Sequence, residues 1–262
     1  MRASVNPLLR FPGARGVAVL FFAYLYLPIV VLIGLSFNAN RSATIWTGFT
    51  TDWYAQVVQN NQILSAAQNS LVVAAIATVI STALATLAAL GTARRFSGWT
   101  MANAVIALPL VVPEVVTAVA TLLFFVLIGI RLGLLSVIIA HVVFCIPFAY
   151  LPIRARLEGM DATLREAASD LYADEWRTFR RVTLPLLWPG ILSGAMLAFI
   201  ISLDDFVITS FVAGPGASTL PIYIYTLIRI GVSPEVNAIS AIMLVISIVF
   251  VSLSFLIQRW RA

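Results

Sequence analysis

Lysine is absent from this chain of 262 residues, whose sixteen basic residues are all arginine. Charge of either sign is scarce: only 10% of residues are charged, against about a quarter in an ordinary soluble domain. So little charge cannot clothe a water-facing surface, which excludes a soluble globular protein. The single cysteine, Cys145, excludes an internal disulfide. The single histidine, His141, leaves no His or Cys pair at metal-ligand spacing and no Ser-His-Asp set. A buried His141 is expected to serve packing or a hydrogen bond to a neighbouring helix. No glycine-rich loop ending in Gly-Lys-Ser/Thr occurs, so the chain is not expected to bind or hydrolyse ATP itself. Catalytic residues, metal ligands and a cofactor of its own are all expected to be none.

What is present is apolar: 61% of residues are hydrophobic and the mean hydropathy is +1.01. Lipid must cover most of such a chain. A spanning helix needs about 20 apolar residues, and six segments qualify. The first is 17–37, read as a retained span, with Pro28 as a kink. The others are 69–92, rich in small residues that pack closely; 101–130, broken by Pro109 and Pro113; 134–153; 187–212; and 237–257. Thirteen arginines fall on one side of this arrangement, and only Arg41, Arg131 and Arg229 on the other. Basic loops stay in the cytoplasm. The expectation is therefore an all-α integral membrane protein of six transmembrane helices, with both termini cytoplasmic. Residues 1–16 form the cytoplasmic N-terminus, 38–68 a periplasmic segment, 69–257 a five-helix domain and 258–262 the cytoplasmic C-terminus.

The longest polar interruption, within 157–186, holds LREAASDLYADEWRTFRRVTLPL. Leu164, Ala167, Ala168 and Leu171 fall at helical spacing and predict one apolar stripe. Glu166 sits in the first turn of that helix, where negative charge is favoured. Asp174 is placed to N-cap a second short helix over 174–182. Two short amphipathic helices in one cytoplasmic loop make a knob suited to docking into a groove on a soluble partner.

Glu166, Ala167, Ala168, Leu171, Ala173, Phe179, Val182, Leu184 and Pro185 resemble, in register, the EAA loop of type I ABC importer permeases. One residue departs: Tyr172 stands where that family has glycine, and a non-glycine residue at φ > 0 there costs about 1–2 kcal/mol. The resemblance spans nearly the whole chain. Trp46-Thr-Gly-Phe49, Trp53-Tyr54, Asn69-Ser70-Leu71, Pro113-Glu114, Ser202-Leu-Asp204-Asp205-Phe206, Thr219-Leu-Pro221 and Pro234-Glu235-Val-Asn237-Ala238 are similar to the second permease of spermidine/putrescine importers. It implies a bacterial inner-membrane machine: this permease, a related second permease, two ATPase subunits at the EAA loops that bind ATP and Mg, and a periplasmic binding protein. It also implies transport roles for Trp53, Glu114, Glu175, Ser202, Asp204 and Asp205. Glu175, lying in the knob with Glu166, Ala167, Ala168, Leu171, Tyr172 and Ala173, is read as an ATPase contact.

The acidic residues carry a physical argument of their own. Asp204 lies 16 residues beyond Trp188, or roughly 24 Å along a straight helix, and Glu114 lies 13 residues beyond Met101, roughly 20 Å. An ionised carboxylate inside a membrane costs about 2.5–3.5 kcal/mol on insertion scales and faces protein or a water-filled path. A polyamine would supply the missing counter-charge there, and Trp53 would add a cation–π contact at the entrance. Against this stand helix capping or pairing for Asp204 and Asp205, a structural role for Glu114 beside Pro113, and an interfacial anchor for Trp53. At the level of function the alternatives are the same machine carrying another amine, an amino-acid-like solute or a sugar; a proton-coupled secondary transporter; and an intramembrane enzyme using His141 and Cys145.

Overall fold

A computed structural model describes residues 13–41, 45–161, 163–231 and 233–259. Arg2, Arg10 and Arg261 of the expected cytoplasmic termini lie outside the described residues, as does the side chain of Arg165. The chain forms two compact units, one of residues up to Asn60 together with Thr226 onward, the other Asn61–Tyr225.

In the first unit, helix α1 (Ala14–Leu35) takes Pro28 inside it and buries none of its residues. Its 22 residues have a hydropathy of 2.5, so its surface needs lipid or another chain around it. Helix α2 (Asp52–Gln59) follows, and α12 (Pro234–Arg259) packs against both α1 and α2.

The second unit is built on three mutually packed helices, α3 (Asn61–Gly91), α6 (Leu134–Glu158) and α9 (Leu184–Asp204). Helix α3 begins at Asn61, eight residues before the expected Asn69, and presents Ala66, Ser70, Ala74, Ala77, Ser81, Ala85 and Ala89 as a buried face of small side chains. Helix α9 matches it with Gly190, Gly194, Ala198 and Ser202, all buried and four residues apart. These four meet α6 in antiparallel register. A Cβ on Gly190 would lie 2.6 Å from Arg156 Cβ, and one on Gly194 2.6 Å from the Ala149 carbonyl oxygen. One turn on, Cys145 Sγ reaches Ala198 O at 3.6 Å, and the last pair is Ser202 with His141. Backbones this close exclude any side chain larger than hydrogen at the two glycines.

Two expected spans are interrupted. The third is not one straight helix: α4 (Trp99–Val111) and α5 (Glu114–Leu127) meet at 108°. Pro113 forces Val112 into an extended conformation (φ −72°, ψ 132°) and itself occupies the N-cap position of α5. Counting residues from Met101 therefore overstates the depth of Glu114. The fifth expected span, 187–212, ends at Asp204. Asp205 is extended (φ −63°, ψ 125°) and a separate short helix, α10 (Val207–Val212), follows, packed on α5 and α6. Among the described residues four helices are long and apolar enough to cross a membrane, five if the bent pair counts as one. The described apolar part of α12 runs from Pro234 to Val249.

The rest of this unit comprises the loop helices α7 (Thr163–Asp170) and α8 (Glu175–Thr178), and α11 (Leu220–Ile230), whose last residues belong to the first unit. Asn69 Nδ2 donates to the carbonyls of Gly216 and Ser218, both at 3.0 Å, and Ser70 Oγ accepts from Leu220 N–H at 2.8 Å. The Asn-Ser pair of α3 thereby holds the α10–α11 connection and satisfies the start of α11.

Candidate functional site: a buried acidic break and a coupling loop

The break between α9 and α10 concentrates the polar chemistry of the second unit. Phe206 occupies the cap position of α10 and has no acceptor to offer, so Asp205 does the capping. Its Oδ1 accepts from Thr209 N–H at 2.9 Å and from Thr209 Oγ1 at 2.8 Å, and Ile208 N–H points to Oδ2 at 3.4 Å. His141 of α6 closes the cluster. Nε2 lies 2.8 Å from Thr209 Oγ1 and 3.2 Å from Asp205 Oδ1, and Nδ1 lies 2.8 Å from Ser202 Oγ. All four residues are buried. Glu114, at the N-terminus of α5, is half-buried, and α5 packs against α10, the helix that Asp205 caps. Asp204 is on the other side of the break, exposed at the surface of the chain. Among the described residues no arginine pairs with Glu114, Asp204 or Asp205.

Four of the sequence-derived path residues therefore converge on one place: Glu114, Ser202, Asp204 and Asp205. His141 completes it, making the hydrogen bond to a neighbouring helix that the sequence led us to expect, together with Thr209, which the sequence reading does not single out. The available signal was spacing. Ser202, Asp205 and Thr209 follow one another at three and four residues, one turn each, with an aspartate just before a helix start.

Trp53 belongs to the first unit, where the 36–54 segment folds on itself. Asn38 and Phe49 form an isolated antiparallel bridge. Asn38 Nδ2 donates to Ile45 O at 2.8 Å, and Trp53 Nε1 donates to Asn38 O at 2.7 Å. Phe37 stacks on Phe49 with centroids 5.1 Å apart, and Tyr54 OH lies 2.6 Å from Ser36 Oγ. The indole N–H of Trp53 is thus committed to the fold of this segment.

The loop between α6 and α9 carries the second cluster of sequence-derived residues. Asp161 Oδ1 accepts from Thr163 N–H at 3.0 Å, at the start of α7, and this bond holds its carboxyl below the usual carboxylate range. At the other end of α7, Tyr172 N–H donates to Ser169 O at 2.9 Å and Ala173 N–H to Ala168 O at 3.0 Å. This paired pattern is a Schellman C-cap, which places Tyr172 at the left-handed position, and its φ is +55°. Asp174 then caps α8, accepting from Arg177 N–H at 2.7 Å. A π-helical segment, Phe179–Thr183, joins α8 to α9. Pro185 explains it: proline has no N–H for the α-helical bond and its ring crowds the preceding turn, so the ladder widens by one residue. The predicted apolar stripe is only partly buried. Ala168 is 9% exposed, whereas Leu171 lies beyond the end of α7 and is 81% exposed. Leu171, Tyr172 and Trp176 all stand out from the chain.

At the arginine-rich end of the second unit, Thr92 Oγ1 lies 2.8 Å from Tyr150 OH, which donates to Asn103 Oδ1 at 2.9 Å. Arg154 also bonds Asn103, and its guanidinium sits 5.3 Å from the Trp99 ring centroid. This network ties α3, α4 and α6 together.

Membrane-length apolar helices with a polar break inside the helix core and an exposed polar loop suit a transporter permease. The comparisons agree. Residues 81–261 match the family described as "Binding-protein-dependent transport system inner membrane component". The chain is 41% identical over 245 residues to the spermidine/putrescine transport system permease protein PotC of Escherichia coli K12, covering 93% of each chain. It is 39% identical over 246 residues to the putrescine transport system permease protein PotI of the same organism, covering 91% of this chain and 88% of that one. Among solved structures it superposes on a chain of a bacterial ABC transporter that imports the acidic polysaccharide alginate, with TM-score 0.76, 19% identity and coverage of 93% and 92%. It superposes also on a chain of the MetNI methionine ABC transporter, with TM-score 0.67, 17% identity and coverage of 82% and 100%. The chain belongs to the family of binding-protein-dependent ABC importer permeases, multi-pass components of the inner membrane. Its fold is the type I importer permease fold.

Proposed function

We propose that this chain forms half of the translocation path of an ATP-driven polyamine importer and carries spermidine or putrescine by alternating access. One observation carries the reading. Glu114, Asp204 and Asp205 gather at one break inside an apolar unit, with no described arginine to neutralise them. Acidic groups at such a place need a cation, and a polyamine offers separated ammonium groups for them. The identities to PotC and PotI support the same substrate class. Asp204 meets the ammonium groups from the exposed side of the break, Asp205 and Glu114 from within, and Ser202 supports Asp205 through the shared polar cluster. The ring face of Trp53 adds a contact at the outer entrance.

The chain spans the bacterial cytoplasmic membrane six times, with both termini in the cytoplasm and with the divisions 1–16, 17–37, 38–68, 69–257 and 258–262. A related second permease supplies the other half of the path, and a periplasmic binding protein delivers the substrate. ATP and Mg bind to two partner ATPase subunits, and this chain holds no cofactor. Those subunits dock on the α7–α8 loop through Glu166, Ala167, Ala168, Leu171, Tyr172, Ala173 and Glu175. Leu171 and Tyr172 suit that role because both stand out from the chain, at 81% and 94% exposure.

The test is substrate-stimulated ATPase activity of the reconstituted complex. Spermidine and putrescine, on their binding protein, are expected to stimulate the wild type and a neutral sugar to leave it at the basal rate. Asp204→Asn or Asp205→Asn is expected to abolish the stimulation in complexes that still assemble. Two amide variants that respond as the wild type does would remove the acidic path, and a wild type deaf to polyamines would remove the substrate assignment.

A further inference from the structure

His141 is 1% exposed, on the α6 face that zips against the small residues of α9. The hydrogen-bond directions around it place a hydrogen on Nε2. The Thr209 hydroxyl donates its hydrogen to Asp205 Oδ1, so Thr209 Oγ1 has only lone pairs to offer His141 Nε2, 2.8 Å away. Nε2 therefore carries the hydrogen and donates it, and the same N–H faces Asp205 Oδ1 at 3.2 Å. Nδ1 pairs with the Ser202 hydroxyl at 2.8 Å. Both ring nitrogens are thus committed, one to α9 before the break and one to the turn after it.

A packing histidine needs none of this. The zipper beneath it sets the ring's height: Gly190 and Gly194 admit no side chain against α6, and Cys145 meets Ala198 one turn below. The ring is held from α6 and in turn holds the residue that ends α9. We propose that His141 is a positioning residue. As an Nε2–H donor it fixes the Asp205 carboxylate at the α9–α10 break, and it does not itself touch the transported cation. This inference rests on the acidic-path reading for its consequence in transport, and on the hydrogen-bond geometry for its existence.

The experiment uses the assembled transporter with His141→Leu and His141→Gln, each alone and combined with Asp205→Asn. Two quantities are read: substrate-stimulated ATPase as a function of loaded binding protein, and the thermal midpoint without substrate. A fixed carboxylate misplaced by ~1 Å loses one to two orders of magnitude, so His141→Leu is expected to lower the maximal stimulated rate about tenfold or more. The half-saturating concentration of loaded binding protein should stay unchanged, because that protein docks elsewhere. His141→Gln, whose amide N–H stands close to the place of Nε2–H, should restore most of the rate. In the Asp205→Asn background, where stimulation is already expected to be lost, the thermal midpoint is the readout, and His141→Leu should add almost nothing to its shift, because the two residues act as one unit.

A His141→Leu complex with wild-type stimulation overturns the proposal, as do additive midpoint shifts in the double variant. If the Leu variant fails to assemble, Ser202→Ala and Thr209→Val, each removing one partner of the ring, take its place with the same expected non-additivity against Asp205→Asn. If polyamines fail to stimulate the wild type, the substrate assignment falls on its own and the thermal midpoints decide the present point. Shifts smaller in the double variant than the sum of the singles uphold the His141–Asp205 unit, and additive shifts refute it.

Discussion

Replacing Tyr172 by glycine should make the α7–α8 loop more stable, although it removes an aromatic side chain. Tyr172 has φ +55°, and among the described residues no other non-glycine has a positive φ. An L-residue in the left-handed region carries about 1–2 kcal/mol of strain from its Cβ. The side chain is 94% exposed, so its removal forfeits no packing within the chain. Glycine returns about 0.5–1 kcal/mol through the greater freedom of the unfolded chain. The balance favours glycine by about 0.5–1 kcal/mol, and at 1.4 kcal/mol per tenfold this is about a two- to fivefold change in a local opening equilibrium.

Hydrogen exchange measures that equilibrium directly. The Tyr172 and Ala173 N–H groups close the Schellman cap onto Ser169 and Ala168, so peptides over 163–174 of the assembled transporter should exchange more slowly in Tyr172→Gly by this factor. Tyr172→Ala is the control. Alanine keeps the Cβ and the strain, and its exchange should match the wild type. Exchange in Tyr172→Gly equal to or faster than wild type, or an alanine variant protected as well as the glycine one, would refute the strain argument. ATPase coupling is a separate readout, since the same exposed ring belongs to the proposed docking surface.

Other outcomes follow from the same geometry. Gly194→Val forces a side chain into a place where a Cβ already meets the Ala149 carbonyl at 2.6 Å, and should cost about 1–3 kcal/mol, read as a lower thermal midpoint or as loss of assembled complex. Asp174→Ala removes the cap of α8 and the bond to Arg177 N–H; a loss of about 1 kcal/mol should appear as faster exchange over 174–178 with the membrane helices unaffected. The Asp161 carboxyl is held below its usual range by Thr163 N–H, so its stabilisation of α7 is present above the unfolded value and lost as pH falls through the lower folded value. Protection of the first turn of α7, corrected for intrinsic exchange, should therefore be flat from neutral pH down to about pH 4 and fall below it, and Asp161→Asn should abolish that dependence.

The helices were legible wherever an apolar run was long, because hydropathy averages over a whole span. The same averaging hid the events that matter at the site. Between Leu187 and Val212 the run stays apolar on both sides of Asp204-Asp205, and no proline or glycine marks the stop at Asp204. What ends α9 is a side chain turning back to the next helix, from Asp205 to Thr209 N–H. Pro113 did announce a break, but a proline in sequence does not give an angle, and 108° rather than a shallow kink is what brings Glu114 to the same place. The loop was legible for a different reason. Its turn chemistry is local: Asp174 three residues before the N–H it caps, and Tyr172 at the one position where φ must be positive. Leu171 was misjudged because helical spacing was extended one residue past the end of α7.

The zipper between α6 and α9 joins these two kinds of information. On α9, Gly190, Gly194, Ala198 and Ser202 lie on one stripe about 18 Å long. On α6, Arg156, Ala149, Cys145 and His141 answer them in reverse order. Side chains of the smallest size leave almost no slack in such a packing, because backbone meets backbone. A slide by one residue would turn Ser202 by about 100° away from His141, and the polar cluster would lose its ring. The glycines near the α7–α8 loop therefore set where the acidic break stands. A polar cluster buried in an apolar unit is costly unless all its members are paired; here each nitrogen of His141 and each oxygen of Asp205 has a partner only in that one register. Close packing and polar satisfaction select the same alignment of the two helices, and that alignment sets the place of the Asp205 carboxylate at the α9–α10 break.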